Sequence, residues 1–330
     1  MKVAIIGATG LVGKKILELL RQRNFPVDEL TLFASEKSAG EKTPFRDHPV
    51  EIKYLAEADF SRLDMVFFAV DEKIAKEYIP KAREYCVVID KSSLYRLEKD
   101  VPLVIPEVNP ETCFNHQNII ASPNCSTIQL VVVLAPLRKI AKINRVTITS
   151  IQSVSGAGSA AVEQLRYEIE NIAVGERKLP DELSPLLHPI GANLIPQIGA
   201  IRKDGYAGEE MKIILETRKI LNQPELPITV TCVRVPVFVG HSQAVDVAFD
   251  RKVTVDEIIS VLQGAPGIKV YADPKYPMPI DVVDKDEVLV GRIRKHFADE
   301  NWISVWIVAD NLRKGAATNA VQIAELLLKK

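Results

Sequence analysis

Cys125 lies in the run Ser122-Pro123-Asn124-Cys125-Ser126-Thr127, between the extended apolar stretch 118–121 and the apolar run 128–134. Pro123 disfavours helix at Ser122, whereas Ser126 and Thr127 suit a first helical turn. The spacing therefore predicts a strand-to-helix junction, with a helix starting near Ser126 and the thiol at its positive end. Thiolate is favoured there over thiol, and thiolate is the nucleophilic form. The chemistry this offers is nucleophilic, covalent catalysis. A buried structural cysteine is the other reading of the same hexapeptide, because cysteine is among the most buried residue types.

Catalysis by a thiol nucleophile also needs a group that moves protons near neutrality, and histidine is the usual choice. Of the five histidines, at 48, 116, 188, 241 and 296, His241 stands out because it follows a strand carrying Arg234 and is flanked by Gly240 and Ser242. Taken singly, any of them reads as a surface or structural histidine. Arg234 sits among Val233, Val235 and Pro236. In so apolar a setting an arginine needs an anionic partner, and a carboxylate bound bidentately would serve. Glu209 and Lys212 are three apart and share a helix face, which on spacing alone reads as a solvated ion pair. Arg96, in Tyr95-Arg96-Leu97-Glu98, carries no signal by itself. Histidines and cysteines are scattered without HExxH or paired CxxC spacing, so no metal site is expected.

The elements that must position these residues begin with an apolar strand, Lys2–Ile6, then Gly7-Ala8-Thr9-Gly10-Leu11-Val12-Gly13 and an amphipathic helix marked by Leu11, Val12, Ile16, Leu19 and Leu20. Strand, glycine loop and helix form the opening of a Rossmann unit, whose glycines let the backbone approach a pyrophosphate at the helix N-terminus. The spacing is GxxGxxG rather than GxGxxG, and a plain βα turn is the bland alternative. A second strand, Glu29–Ala34, runs into Ser35-Glu36-Lys37-Ser38. Ser35, Lys37 and Ser38 suit a 2′-phosphate, while Glu36 suits a free ribose. Further strands are expected at 64–70, 86–90 and 103–105, with a helix over 72–84. The alternation argues for a doubly wound parallel sheet with ligands at the carboxyl ends of its strands.

Beyond Cys125 the pattern changes. Strands are expected at 145–153, 228–235, 242–249 and 302–308, and helices from about 159 to 172 and from Glu209 to about Leu221. Several strands with few intervening helices suggest an α+β domain with a largely antiparallel or mixed sheet. Residues 176–208, rich in Pro and Gly, read as a long excursion. A C-terminal amphipathic helix opening at Lys314 should return to the first domain and close the cofactor site.

Length, 330 residues, suggests about two domains. The formal net charge of −1 favours neither nucleic acid nor a membrane surface as partner. Four dispersed cysteines suit a reducing compartment. With no leader-like segment and no apolar run near the roughly 20 residues of a membrane span, the expected location is cytoplasmic.

On these motifs together with Gln152-Ser153-Val154-Ser155-Gly156, Glu209-Glu210-Met211-Lys212, Arg234-Val235-Pro236-Val237 and Gly240-His241-Ser242, the chain resembles the bacterial aspartate-β-semialdehyde dehydrogenases along nearly its whole length. The resemblance implies NADPH-dependent reductive dephosphorylation of L-aspartyl 4-phosphate to L-aspartate 4-semialdehyde, on the route to lysine, threonine and methionine. It implies Cys125 as nucleophile, His241 as general acid/base and Gln152 as the residue that orients the acyl-enzyme. Arg234 and Glu209 correspond to binders of the substrate α-carboxylate and α-amino groups, and Arg96, Asn124 and Lys212 to phosphate-binding positions. Ser155, Gly156 and Asn319 correspond to NADP contacts, beside Gly7, Thr9, Gly10, Leu11, Val12 and Gly13 in the glycine loop and Ser35, Lys37 and Ser38 after the second strand. At Lys37 the family often has arginine, which grips a 2′-phosphate with a planar fork rather than a point charge. The implied organisation is an NADP-binding Rossmann domain, 1–125, completed by 315–330, and a catalytic and dimerisation domain, 126–314. The implied partners are aspartyl phosphate, phosphate, NADPH and a second copy of the chain, with a tetramer left open. N-acetyl-glutamyl-phosphate reductase, with the same thioester chemistry on a longer acyl phosphate, is the alternative. A non-catalytic relative acting as a binding or scaffold protein would be marked by loss of the cysteine or the histidine, and both are present.

Overall fold

A five-residue apolar run ending at a glycine makes the first strand, β1 (Lys2–Ile6), buried in all but its first residue. Helix α1 (Leu11–Gln22) buries Ile16, Leu17, Leu19 and Leu20. Strand β2 (Glu29–Ala34) then lies parallel to β1 in register Ile6↔Phe33. The computed structural model describes residues 1–176, 185, 186 and 188–329. Contacts divide the chain into two compact units, Met1–Asn124 with Ala316–Lys330, and Cys125–Gly315.

In the first unit, β3 (Lys42–Phe45) and β4 (His48–Tyr54) form an antiparallel hairpin. It is followed by β5 (Met65–Phe68), α2 (Glu72–Ala82), β6 (Val87–Asp90) and β7 (Ile119–Ala121). The seven strands run in the order β3-β4-β2-β1-β5-β6-β7. All pairings but the hairpin are parallel. Strands covered on both faces read as continuous apolar runs, which is why β1 and β5 are legible as strands. The hairpin was not expected, and 103–105 is no strand: Leu103 makes a single bridge to Ala121. The C-terminal helix, here α8 (Thr318–Leu327), belongs to this unit. It buries Ala320, Val321, Ile323 and Ala324 in the same core as α1 and β1. It starts later than the expected Lys314, because a wide π-turn occupies Arg313–Ala317.

The second unit holds α3 (Cys125–Leu137), β8 (Ile143–Gln152), α4 (Ser159–Ala173), α5 (Gly208–Ile220), β9 (Ile228–Arg234) and β10 (His241–Phe249). These are followed by α6 (Val255–Gln263), β11 (Ile268–Val270), α7 (Pro279–Val282), β12 (Val288–Lys295) and β13 (Trp302–Ala309). Its six strands run β11-β12-β13-β10-β8-β9. The β8–β9 and β11–β12 pairs are parallel and the others antiparallel, a mixed sheet. Of these strands β11 and β12 were not expected. Helix α3 is apolar on every side and buried throughout except at Cys125 and Ala135.

Part of the 176–208 excursion, residues 177–184 and 187, lies outside the described residues. In the remainder, Ile195 and Arg234 exchange two backbone hydrogen bonds, of 2.9 and 2.8 Å, at the free edge of β9. The buried Glu168 carboxylate of α4 accepts the amides of Ile190 and Gly191 and the Gln164 side chain. The excursion is thus tied at one side to α4 and at the other to the strand that carries Arg234.

Two glycines of the βα turn are required by close approach. Gly7 has φ +84°, and a Cβ there would lie 2.5 Å from the Ala69 carbonyl oxygen. A Cβ on Gly13 would lie 2.1 Å from the Gly7 carbonyl oxygen. Contacts this short cannot be relieved by a side-chain rotation, because the obstructing atoms are backbone. Gly13→Ala is therefore expected to lower the unfolding free energy by about 1–3 kcal/mol, the usual cost of overpacking. Urea denaturation of the variant beside the parent checks it, and an unchanged midpoint would contradict this account of the turn.

Candidate active site

Cys125 is the first residue of α3 and partly exposed, whereas Cys86, Cys113 and Cys232 are buried. Burial pushes the Cys86 thiol up to about 12. Burial, with the Glu209 and Glu210 carboxylates, pushes Cys232 up as well. Neither supplies a thiolate near neutral pH. A Cβ on Gly315 would lie 2.9 Å from the Cys125 Cβ, so the turn that follows β13 packs directly on this residue. That turn is closed by Asp310, whose carboxylate accepts the amides of Asp284, Leu312 and Arg313 at 2.9, 2.8 and 3.1 Å.

Gln152 ends β8, buried, with its Nε2 donating to Ser126 Oγ at 2.8 Å, Ser150 Oγ at 3.3 Å and Glu209 Oε1 at 3.3 Å. Gln243 Nε2 donates to the Ser126 carbonyl at 3.0 Å. The first turn of α3, which carries Cys125, is thereby fastened to β8 and β10. Sequence reasoning gave Ser126 no role beyond a first-turn residue.

Glu209 and Lys212 face each other at 3.7 Å, but they are not a solvated pair: the Glu209 side chain is 9% exposed and that of Lys212 40%. The buried carboxylate is shared between Gln152 and Lys212. Arg234, the register partner of Gln152, is also buried, and its Nη1 donates to the Ser153 carbonyl at 2.7 Å. Burial lowers the Arg234 pKa and the Glu209 charge counters it. A desolvated cation and anion are thus present in one unit, as recognition of a zwitterionic ligand requires.

His241 opens β10 and is fully buried. The Ser153 amide donates to its Nδ1 at 3.1 Å, and Ser153 Oγ lies 3.1 Å from the same atom. Its Nε2 has no hydrogen-bond partner among the described residues. Burial first, and the Arg234 charge second, hold its pKa well below the usual histidine range, so the ring is neutral. Gly156 lies against both groups: a Cβ there would stand 3.0 Å from Arg234 Nη1 and 3.1 Å from His241 Nε2. Ser155 bonds Asn311, whose Nδ2 donates to the serine Oγ at 2.9 Å. Asn311 and Ser153 belong to this cluster and were not singled out from the sequence.

Other expected site residues lie in the first unit. Gly10 stands at the N-cap of α1 without a side-chain cap, and no acid occupies the first turn. The first intrahelical bond runs from Lys14 N to Gly10 O at 3.0 Å, which leaves the amides of Leu11, Val12 and Gly13 without an intrahelical acceptor. That end suits a phosphate. Thr9 is half-buried beside it. Ser35 and Lys37 are exposed and Ser38 half-buried at the turn after β2. Asn319 directs its amide nitrogen to Val104 O at 3.0 Å and Ser122 Oγ at 2.9 Å, so part of its role is to pin the end of β7. Arg96 and Asn124 are buried, and Arg96 Nη2 donates to the Lys91 carbonyl at 2.8 Å. Lys91, unnoticed in the sequence although it follows β6 directly, donates to Ser122 Oγ and Pro123 O at 3.1 Å each. Among the described residues no cluster of three or more His, Cys, Asp or Glu could hold a metal, and no helix is long and apolar enough to cross a membrane.

Two family models match: "Semialdehyde dehydrogenase, NAD binding domain" over residues 2–116 and "Semialdehyde dehydrogenase, dimerisation domain" over 134–314. The aspartate-semialdehyde dehydrogenase of Aquifex aeolicus is 46% identical, covering 100% of this chain and 98% of that protein. A crystal structure of aspartate semialdehyde dehydrogenase II from Vibrio cholerae complexed with ASA is 43% identical, with a TM-score of 0.96 over 100% of this chain and 98% of that one. An aspartate semialdehyde dehydrogenase from Candida albicans, solved with NADP, is 27% identical with a TM-score of 0.74, covering 99% and 98%.

The buried, neutral His241 makes stability depend on pH in a defined direction. Its folded pKa is depressed below the ordinary 6.5. Below that value the unfolded chain binds the proton and the folded one resists it, so stability is lost as pH falls through and below 6.5. Comparing urea unfolding at about pH 7.5 and 5.5, His241→Gln is expected to lose less stability across this window than the parent. An equal loss would contradict the assignment of a neutral buried ring.

Proposed function

The chain belongs to the aspartate-semialdehyde dehydrogenase family, and we propose that it reduces L-aspartyl 4-phosphate to L-aspartate 4-semialdehyde with NADPH, releasing phosphate. The observation that carries this reading is a partly exposed cysteine at a helix start, in the same unit as a buried neutral histidine with a free Nε2 and a desolvated Arg234 and Glu209.

The Cys125 thiolate, favoured by the positive end of α3, attacks the acyl carbon. A C–S bond forms, the C–O bond to phosphate breaks, and phosphate leaves with the electron pair, giving a thioester on Cys125. Reduced nicotinamide, when bound, would supply the hydride that reduces this carbonyl to the oxyanion of a thiohemiacetal. His241 meets the oxygen on which charge develops, through its Nε2. Collapse breaks the C–S bond and returns the electron pair to sulfur, freeing aldehyde and thiolate. Arg234 binds the substrate α-carboxylate and Glu209 its ammonium group. Gln152, tied to Ser126, orients the acyl group, and Arg96, Asn124 and Lys212 bind phosphate. The α1 amides and the glycine loop take the dinucleotide phosphates, with Ser155, Gly156 and Asn319 contributing to the nicotinamide side. Ser35, Lys37 and Ser38 take the 2′-phosphate that makes NADP the preferred form. The match of 134–314 to a dimerisation domain supports a homodimer, with a mass in solution of twice the 36.6 kDa chain.

Phosphate-dependent reduction of NADP by aspartate semialdehyde is expected from the wild type, with NAD a poorer oxidant, and no measurable turnover from Cys125→Ala. A folded, reduced wild type that is inactive on this aldehyde but active on N-acetyl-glutamate semialdehyde would overturn the substrate assignment. Turnover surviving in Cys125→Ala would overturn the thioester route.

A further inference from the structure

Two backbone amides in the His241 cluster fix where protons reside, because a backbone N–H can only donate. The Ser153 amide faces His241 Nδ1 at 3.1 Å, so Nδ1 presents its lone pair and the neutral ring carries its proton on Nε2. The Gly240 amide faces the Asn311 side-chain oxygen at 2.9 Å, so that atom is Oδ1 and the amide orientation is set. Oδ1 then accepts from Ser153 Oγ at 3.1 Å and Ser155 Oγ at 3.3 Å, while Nδ2 donates to Ser155 Oγ at 2.9 Å. The Ser153 hydroxyl, 3.1 Å from Nδ1 as well, can turn its proton to either acceptor. Asn311 therefore holds both sides of the imidazole: the residue before it in the chain, through Gly240, and the residue that faces its Nδ1, through Ser153. Asn311 and Ser153 are themselves buried, which keeps water from substituting for either contact.

We propose that Asn311 and the backbone amide of Ser153 are positioning residues that hold His241 as the Nε2–H tautomer, so that it acts at the reacting carbonyl as a neutral hydrogen-bond donor and not as the base that ionises Cys125. Protonating Nδ1 would set two N–H groups against each other across 3.1 Å, which disfavours the imidazolium and the opposite tautomer alike. Nε2 is buried and makes no hydrogen bond to the cysteine sulfur or to any other described residue. The unspent donor suits an oxygen that acquires charge only during reaction. This inference rests on the reading of His241 and Cys125 given above.

The first test needs no turnover. In the full-length protein with 15N-labelled histidine near neutral pH, long-range 15N–1H spectra are expected to show a pyrrole-like Nε2 and a pyridine-like Nδ1 for His241, assigned by the signal lost in His241→Gln. A pyrrole-like Nδ1, or two protonated nitrogens, overturns the proposal. Ser153→Ala keeps the backbone donor and is expected to keep this tautomer; its reversal there would overturn the role of the amide. Alkylation of Cys125 by iodoacetamide is expected to show the same pH midpoint in wild type and His241→Gln, and an upward shift in the variant would make His241 the base. Asn311→Ala is expected to mix the two tautomers and lower kcat by about tenfold or more, toward the loss that follows removal of an oxyanion donor, with KM for the aldehyde little changed. The same tautomer and the same kcat would remove Asn311 from the proposal. If the aldehyde is not turned over while the spectra show the Nε2–H form, the functional reading fails and the tautomer assignment stands.

Discussion

Everything in the second unit that touches chemistry depends on the register of three neighbouring strands. Val146, Ile148, Ser150 and Gln152 form the inward row of β8, and their partners on β9 are Ile228, Val230, Cys232 and Arg234. On β10, Val247, Val245 and Gln243 face Val146, Ile148 and Ser150. Each row begins apolar and turns polar at the same end of the sheet, where His241 opens β10. The layers read Val/Ile/Val, then Ile/Val/Val, then Ser/Cys/Gln, then Gln152 and Arg234. Strand side chains alternate with period two, so a slip by one residue would turn Arg234 and Gln152 to the opposite face and bring Thr229 and Thr231 inward. The apolar layers hold the register, and the register delivers the polar layer.

A polar layer at core positions is costly unless its members satisfy one another. Here most of them do so, while Gln243 Oε1 and His241 Nε2 have no hydrogen-bond partner among the described residues. Gln152 is shared among Ser126, Ser150 and Glu209, and Arg234 is anchored on the Ser153 carbonyl. Ser153 gives its amide to His241 and its carbonyl to Arg234, so one residue beyond β8 sets the distance between the imidazole and a cation. Burial is the first reason the histidine is neutral and the nearby Arg234 guanidinium the second, and together they outweigh the Gly240 backbone, which favours the protonated ring.

Much of this was legible in the amino-acid sequence, for identifiable reasons. β1, bounded by glycine and buried in all but its first residue, and β2, which ends in a buried apolar run before a polar turn, are marked by composition alone. Cys125 could be placed at a helix start because Pro123 stops helix before it. The actual start, at Cys125 itself, puts the sulfur one position nearer the helix end than expected. The β3–β4 hairpin escaped because Pro44 and Pro49 argue against strand. The two prolines are in fact register partners beside a two-residue turn, where neither has to donate to a neighbouring strand. Glu209 misled on spacing alone, since i,i+3 pairing says nothing about burial. Asn311 could not be found by any local pattern, and Ser153, although inside a quoted motif, showed no role of its own, because the bonds that tie them to His241 and Gly240 and to each other span 71 to 158 residues.

The nucleophile poses the opposite problem from the rest of the cluster. Its sulfur has to reach an incoming carbonyl and later release it, so it must stay partly exposed, yet the field that favours thiolate exists only within the first turn of a helix. A frayed first turn would lose that field. The chain meets both demands by making α3 apolar on all sides and burying it, which fixes the axis. It also fastens the turn through Ser126: the Gln152 amide at its hydroxyl and the Gln243 amide at its carbonyl. Gly315 completes the arrangement by omission, since any side chain there would occupy the space of the cysteine Cβ. Rigidity is thus concentrated on the residue after the nucleophile and on the turn packed against it.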